Sequence, residues 1–255
     1  MTGLLTGANY LVTGAANTRS IAWSVALAIK RHGGSVALTY QAERLRSRVQ
    51  PLADELGGAP LIECDVSSDE NVATALTELA ATMPILHGLV HSVAFAPAHD
   101  LQGSFVETTR AGYAVANDVS AYSLIALTRE ARRLFAPSAA VVAMTYIGSQ
   151  RVTPNYNVMG PAKASLEASV RYLAADLGPS GVRVNAISAG PIQTVAARTI
   201  KDFSDMLSQV AERTPLRRLI TTEEVADATV FLLSDMARGV TGEIMRVDSG
   251  AHVIA

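Results

Sequence analysis

The chain has 255 residues, of which 49% are hydrophobic and only 17% charged. This composition suits a single α/β domain whose parallel sheet is covered by helices on both faces and whose subunits share buried contacts. A net charge of −2 without a basic stripe argues against a nucleic-acid partner, and no apolar run reaches the roughly 20 residues of a membrane span. The N-terminus has no basic targeting region, so it should be retained and the protein should be cytoplasmic. Cys64 stands alone, which excludes an internal disulfide and a Cys-based zinc site, and no metal site is expected.

Residues 10–13 read as a short buried strand running into Gly14 and a small-residue loop. The helix expected over about 20–31 carries Ile21, Val25, Ala28 and Ile29 on its apolar face. Strand, loop and helix in this order form the dinucleotide-binding arrangement, in which phosphate sits on the free N–H groups of the helix. The full glycine fingerprint is absent. Ser20 is placed to donate to a pyrophosphate, to cap the helix, or both. A second strand, 36–40, ends at Gln41, where the adenosine ribose is read. A neutral amide there can bond hydroxyls and favours NADH. Arg44, Arg46 and Arg48 keep NADPH open, unless they are the solvated face of a helix over about 42–56.

The third strand, 61–64, leads to Asp65 and Val66. Asp65 either caps the next helix, about 70–83, or lies beside the adenine ring. The fourth strand, 89–91, is followed by Ser92-Val93-Ala94-Phe95-Ala96-Pro97, small enough for a cofactor ribose to approach the backbone. His91, alone on an apolar strand, reads as a packed core residue and not as a ligand or base. An irregular piece over 98–109 precedes helices over about 111–135. The second of these carries Leu124, Ala126, Leu127, Ala131 and Leu134 and is apolar enough for a subunit interface.

The fifth strand, 139–145, delivers Tyr146 to the end of the sheet where α/β proteins place their active sites. A helix over 156–176 and a sixth strand over 182–188 follow, closing at Gly190-Pro191, with Thr194 in reach of a carboxamide or phosphate. Residues 195–213 read as a helical lid over a substrate, or as an ordinary amphipathic surface helix. A helix over 223–234 and a strand over 244–247 complete an uninterrupted single domain over 1–255.

Chemistry concentrates in the stretch 155–167. Tyr156 and Lys163 are seven residues apart, two turns if both lie on a helix, so phenol and ammonium share a face. An ammonium near a phenol favours the phenolate and suits the Tyr to stabilise or protonate a developing oxyanion. The bland alternative is a helix with one Tyr and one snorkelling Lys.

With the strand–helix alternation and the Gly14 loop, this pair resembles the short-chain dehydrogenase/reductase superfamily. Thr18 and Ser20 stand where that superfamily usually has glycines. Its common Tyr position, four residues before the Lys, is held by Met159; its Asn-Asn-Ala-Gly is His91-Ser92-Val93-Ala94; and its usual Ser is Ala143. These departures, together with Ser20-Ile21-Ala22, Cys64-Asp65-Val66 and residues 181–194, are similar to the bacterial NADH-dependent enoyl-[acyl-carrier-protein] reductases of the FabI type. The resemblance implies a Rossmann-like, doubly wound α/β fold with a seven-stranded parallel sheet. It implies an NADH site lined by Gly14, Ser20, Ile21, Gln41, Asp65, Val66, Ser92, Lys163, Ile192 and Thr194, with Lys163 on the nicotinamide ribose. Tyr156 would hydrogen-bond the thioester carbonyl, in a pocket with Tyr146, Phe95, Ala96, Met159, Pro191, Ala196 and Ile200.

The implied reaction is reduction of a trans-2-enoyl thioester on acyl carrier protein in fatty acid biosynthesis, by a homotetramer. Ala94 stands where that family most often has Gly, and its methyl is expected to crowd the nicotinamide side of the pocket. In the lid only Arg198 and Lys201 are basic, diluted by Asp202 and Asp205, so few charges face an acidic carrier protein. Two rivals stand beside this reading. One is a carbonyl reductase acting on ketones or 3-oxoacyl thioesters, which needs the missing Ser and the usual Tyr spacing. The other is a non-catalytic dinucleotide sensor, which has no need of both Tyr156 and Lys163.

Overall fold

The computed structural model describes residues 3–192, 207 and 210–254. Seven strands form one sheet in the order β3-β2-β1-β4-β5-β6-β7. They are β1 (Asn9–Val12), β2 (Ser35–Tyr40), β3 (Leu61–Glu63), β4 (Leu86–His91), β5 (Phe135–Thr145), β6 (Arg183–Ala189) and β7 (Ile244–Val247). Every neighbouring pair is parallel. Parallel pairing requires a crossover at each step, and the helices supply it: α1 (Ile21–Arg31), α2 (Glu43–Glu55), α3 (Asp69–Thr82), α4 (Arg110–Asn117), α5 (Ser123–Ala131), α6 (Met159–Leu177) and α7 (Thr222–Leu233).

The alternation of side chains along each strand divides the core in two. Tyr10 and Val12 pack with Trp23 and Ile29 of α1, Leu52 of α2 and Val230 of α7 on one face. Leu11 and Leu89 pack with Leu76 of α3, Leu124 of α5 and Leu166 of α6 on the other. The doubly wound expectation holds, and the strand order reverses between β1 and β4. At such a switch point the loops after two strands part and leave a crevice at the sheet's C-terminal edge.

Three expectations are corrected. The strand expected over 139–145 begins at Phe135. Ser138 adopts φ 66°, and the register with β4 jumps between Leu86↔Phe135 and Gly88↔Ala140, so the extra residues are absorbed in an irregularity that composition does not announce. The helix expected from Tyr156 begins at Met159, because Asn155 at φ 59° and Asn157 at φ 35° hold left-handed backbone that a right-handed helix cannot include. The apolar residues assigned to a subunit contact are occupied within the chain. Leu124, Ala126, Leu127 and Ala131 are fully buried and Leu134 nearly so, Leu124 and Leu127 against α3 and the sheet. A π-helical turn, Asp118–Tyr122, separates α4 from α5 and sets their different faces.

Candidate active site

The crevice is built from the strand ends inward. Thr13, at the exit of β1, donates its hydroxyl to Val90 O at 3.1 Å and accepts from Ser92 N at 3.3 Å, which stitches the ends of β1 and β4 together. Gly14 follows at φ 87°, and a Cβ there would stand 2.1 Å from Ser92 O, so the close approach admits only glycine. Ser20 is the N-cap of α1. Its oxygen accepts from Trp23 N at 3.3 Å, and its hydrogen goes to Asn17 O at 2.7 Å. The cap is therefore made, whereas donation to a phosphate requires the Asn17 contact to break.

At the far side of the crevice, Gln41 and Asp65, expected separately from the ends of two strands, meet: Gln41 Nε2 lies 3.5 Å from Asp65 Oδ2. Burial alone would raise the Asp65 carboxyl, but the hydroxyl and amide of Ser67 and the Gln41 amide together hold it below the usual carboxylate range. Val66 is buried beside it. Arg44, Arg46 and Arg48 are exposed, with Arg46 paired to Glu43 at 3.7 Å, which is the solvated-face alternative.

The second half of the site hangs on β4, β5 and α6. Phe95 is exposed, but its backbone is fixed by Ser120, whose Oγ accepts from Phe95 N at 3.0 Å and donates to Phe95 O at 3.1 Å. The same Oγ lies 3.7 Å from Met159 Sδ. Ala96 and Tyr156 pack on a small apolar cluster formed by Ala116, Val158, Met159 and Ala162. Tyr146, leaving β5, meets Tyr156 edge-on with ring centroids 4.9 Å apart. Pro191 and Ile192 follow β6, with Ile192 against the α1 side of the core. Ala94 is exposed in the turn after β4. Thr194, Ala196, Ile200, Arg198, Lys201, Asp202 and Asp205, and with them most of the expected lid, lie outside the described residues.

Electrostatics amends the reading of the Tyr–Lys pair. Tyr156 sits in a turn ahead of α6, so no two-turn helical face carries both groups. Burial, then Tyr146 and the Glu167 carboxylate, push the Tyr156 phenol well above its ordinary value. Lys163 does not favour the phenolate here, and Tyr156 is a neutral hydrogen-bond donor. Lys163 is itself 5% exposed, and burial lowers its ammonium to about 8 against an opposing pull from Glu167. Its Nζ donates to Met144 O at 2.8 Å. His91 is a core residue, as expected. It is fully buried, and burial followed by the Lys163 charge lowers it to about 3. Ser123 gives its hydrogen to Val119 O at 2.6 Å, so the 2.7 Å contact of His91 Nε2 with Ser123 Oγ assigns the proton to Nε2.

A family model described as Enoyl-(Acyl carrier protein) reductase matches residues 14–252. The chain is 49% identical over 253 residues to the Bacillus cereus enoyl-[acyl-carrier-protein] reductase [NADH] FabI, covering 98% of this chain and 99% of that one. It is 46% identical over 254 residues to the protein of the same name from Escherichia coli K12, covering 99% and 97%. The chain belongs to the enoyl-[acyl-carrier-protein] reductase family. Among solved structures it is similar to the Bacillus cereus reductase crystallised with NADP+ and indole naphthyridinone, with TM-score 0.97 and 48% identity over 99% of each chain. The Anaplasma phagocytophilum reductase with NAD follows at TM-score 0.96 and 41% identity, covering 100% and 97%.

Three residues around the candidate site carried no assigned role from sequence. Gly148 lies behind the Tyr156 ring, where a Cβ would stand 2.6 Å from Cδ1, so the tyrosine rests on bare backbone. Ser120 joins the Phe95 turn to Met159 from within the π-helical turn, a placement that no spacing rule reveals. Glu167, four residues after Lys163 on α6, is a buried carboxylate, and that i, i+4 spacing was the available signal.

Proposed function

We infer that this reductase transfers hydride from NADH to the β-carbon of a trans-2-enoyl thioester, with Tyr156 as donor to the thioester oxygen and Lys163 on the nicotinamide ribose. The observation that carries this is the neutral Tyr156 phenol, edge-on to Tyr146 where β5 ends, with no hydrogen-bond partner for its hydroxyl among the described residues. Such a donor is free to meet charge that collects on a carbonyl oxygen as hydride arrives, and it acts without needing to ionise. Proton delivery to the α-carbon then completes the reduction.

The nucleotide would lie across the switch point. Gly14, Ser20 and Ile21 take the pyrophosphate, Gln41, Asp65 and Val66 the adenosine, and Ser92, Lys163, Ile192 and Thr194 the nicotinamide half. The residues fit that group: α1 opens directly after the β1 loop with Ser20 at its N-cap, and the ionised Asp65 beside Gln41 disfavours a 2′-phosphate. The acyl chain would run past Phe95, Ala96, Tyr146, Met159, Pro191, Ala196 and Ile200, under a lid at about 195–213 that meets acyl carrier protein.

NADH oxidation followed with crotonyl-CoA against acetoacetyl-CoA, and NADH against NADPH, tests the reading. Turnover is expected with crotonyl-CoA and NADH; turnover confined to acetoacetyl-CoA returns the chain to the carbonyl reductases, and tight NADH binding without consumption returns it to the sensors.

The cytoplasm and a homotetramer belong to the same proposal. No described helix is long and apolar enough to cross a membrane. With the core-facing side of α5 occupied, a subunit contact falls to its outer side, where Ile125 meets Ala168, Tyr172 and Leu173 of α6 around an open groove; Tyr172 is 81% exposed. Sedimentation equilibrium is expected to give four times the chain mass, and Tyr172→Glu to lower it.

A further inference from the structure

Glu167 lies one helical turn beyond Lys163 on α6 and is 5% exposed. A carboxylate so buried is tolerated only where donors replace its water. Thr145 Oγ1 at 2.8 Å and Ser149 Oγ at 2.6 Å both donate to its Oε1, and Gln150 Nε2 at 3.3 Å donates to Oε2. Gln150 is oriented in turn, because Arg246 of β7 donates to its Oε1 at 2.8 Å. All three donors sit on the segment that ends β5 and opens the following loop. That segment carries Tyr146 and Gly148, the two residues against which the Tyr156 ring rests.

The carboxylate acts on Lys163 across space, while the Lys163 Nζ hydrogen bond goes to Met144 O. The titratable groups coupled to Lys163 are His91 on β4 and Glu167 on α6 itself. His91 is neutral, so among the described residues Glu167 supplies the opposing charge.

We propose that Glu167 is a positioning residue of the reductase: held by Thr145, Ser149 and Gln150, its carboxylate keeps the buried Lys163 head group charged and braces the loop behind Tyr156. The proposal rests on the assignment of Lys163 to the nicotinamide ribose. Glu167→Gln keeps the shape and removes the charge. It also turns one acceptor into an amide donor facing Gln150 Nε2, which cannot swing round without giving up Arg246. Thr145→Val with Ser149→Ala removes two donors and leaves the charge.

The measurement is the pH profile of kcat/KM for crotonyl-CoA-dependent NADH oxidation, with NADH Kd by fluorescence and thermal unfolding alongside. For Glu167→Gln the alkaline limb is expected to move down by about one pH unit, so that roughly fivefold of activity lost near pH 8 returns near pH 6. The double variant is expected to leave the limb at or above its wild-type position. A Glu167→Gln profile lowered evenly at every pH, with the limb unmoved, overturns the proposal and leaves a structural carboxylate. Should Glu167→Gln not fold, the double variant decides: a limb at or above the wild-type position supports the proposal, and a limb moved down overturns it. Failure of the Lys163 assignment shows separately, as wild-type NADH affinity that is flat between about pH 7 and pH 9.

Discussion

Tyr156→Phe is expected to lower kcat by about 10²–10³-fold, the cost of removing one preorganised donor, or about 3–4 kcal/mol. NADH Kd should stay within about twofold. The substitution deletes one oxygen and leaves the ring where it is: edge-on to Tyr146 at 4.9 Å, backed by Gly148, and packed on Val158, Met159 and Ala162. The fold therefore has no reason to respond, and the loss falls on the chemical step. Because burial, Tyr146 and Glu167 keep the phenol protonated, the hydroxyl donates throughout the working pH range. The acid and neutral parts of the wild-type pH profile should consequently show no Tyr156 titration. Steady-state rates with crotonyl-CoA, read beside NADH fluorescence, check this; unchanged kcat would remove Tyr156 from the mechanism.

Lys163→Ala should act on the other substrate. A charged donor to a hydroxyl is worth about 1.5–3 kcal/mol, so NADH Kd should rise by about 10–100-fold. The wild-type protein carries a related signature. Burial lowers the Lys163 ammonium from 10.5 to about 8, so the folded apoprotein releases this proton before the unfolded chain does. Between those values the unfolded chain binds more protons, and the Lys163 contribution to apoprotein stability rises with pH. NADH affinity should fall over the same window, as the ammonium that would meet the ribose is lost. Opposite slopes of thermal stability and NADH affinity above about pH 8, both absent in Lys163→Ala, are the expected result. Parallel slopes would mean that another group titrates there.

Much of this architecture was legible in the chain itself. The seven strands and their helices follow from short apolar runs that alternate with helical patterns, and Ser20 was recognisable as a cap from its place before an apolar periodicity. The candidate site was legible where a residue type is tied to a strand end, as with Gly14, Gln41, Asp65, Ser92 and Tyr146. It was illegible where position depends on backbone that composition does not encode. Asn155 and Asn157 in left-handed conformations delay α6 to Met159, which takes Tyr156 off the helix that its spacing implied. Long-range placement was hidden too: Ser120 reaches both Phe95 and Met159 from a π-helical turn, and Arg246 reaches Gln150 across 96 positions.

By itself the sequence determined the class of protein: a doubly wound sheet, a nucleotide crevice at its reversal, and a tyrosine and a lysine within one short segment. Those features depend on local periodicity and on residue types, which a linear chain displays directly. Only the tertiary structure decided the protonation of that pair. Burial, set by what packs from distant elements, keeps the phenol neutral and weakens the ammonium, while a carboxylate one turn away offsets part of that weakening. Desolvation is a property of surroundings, and no spacing along the chain reports it.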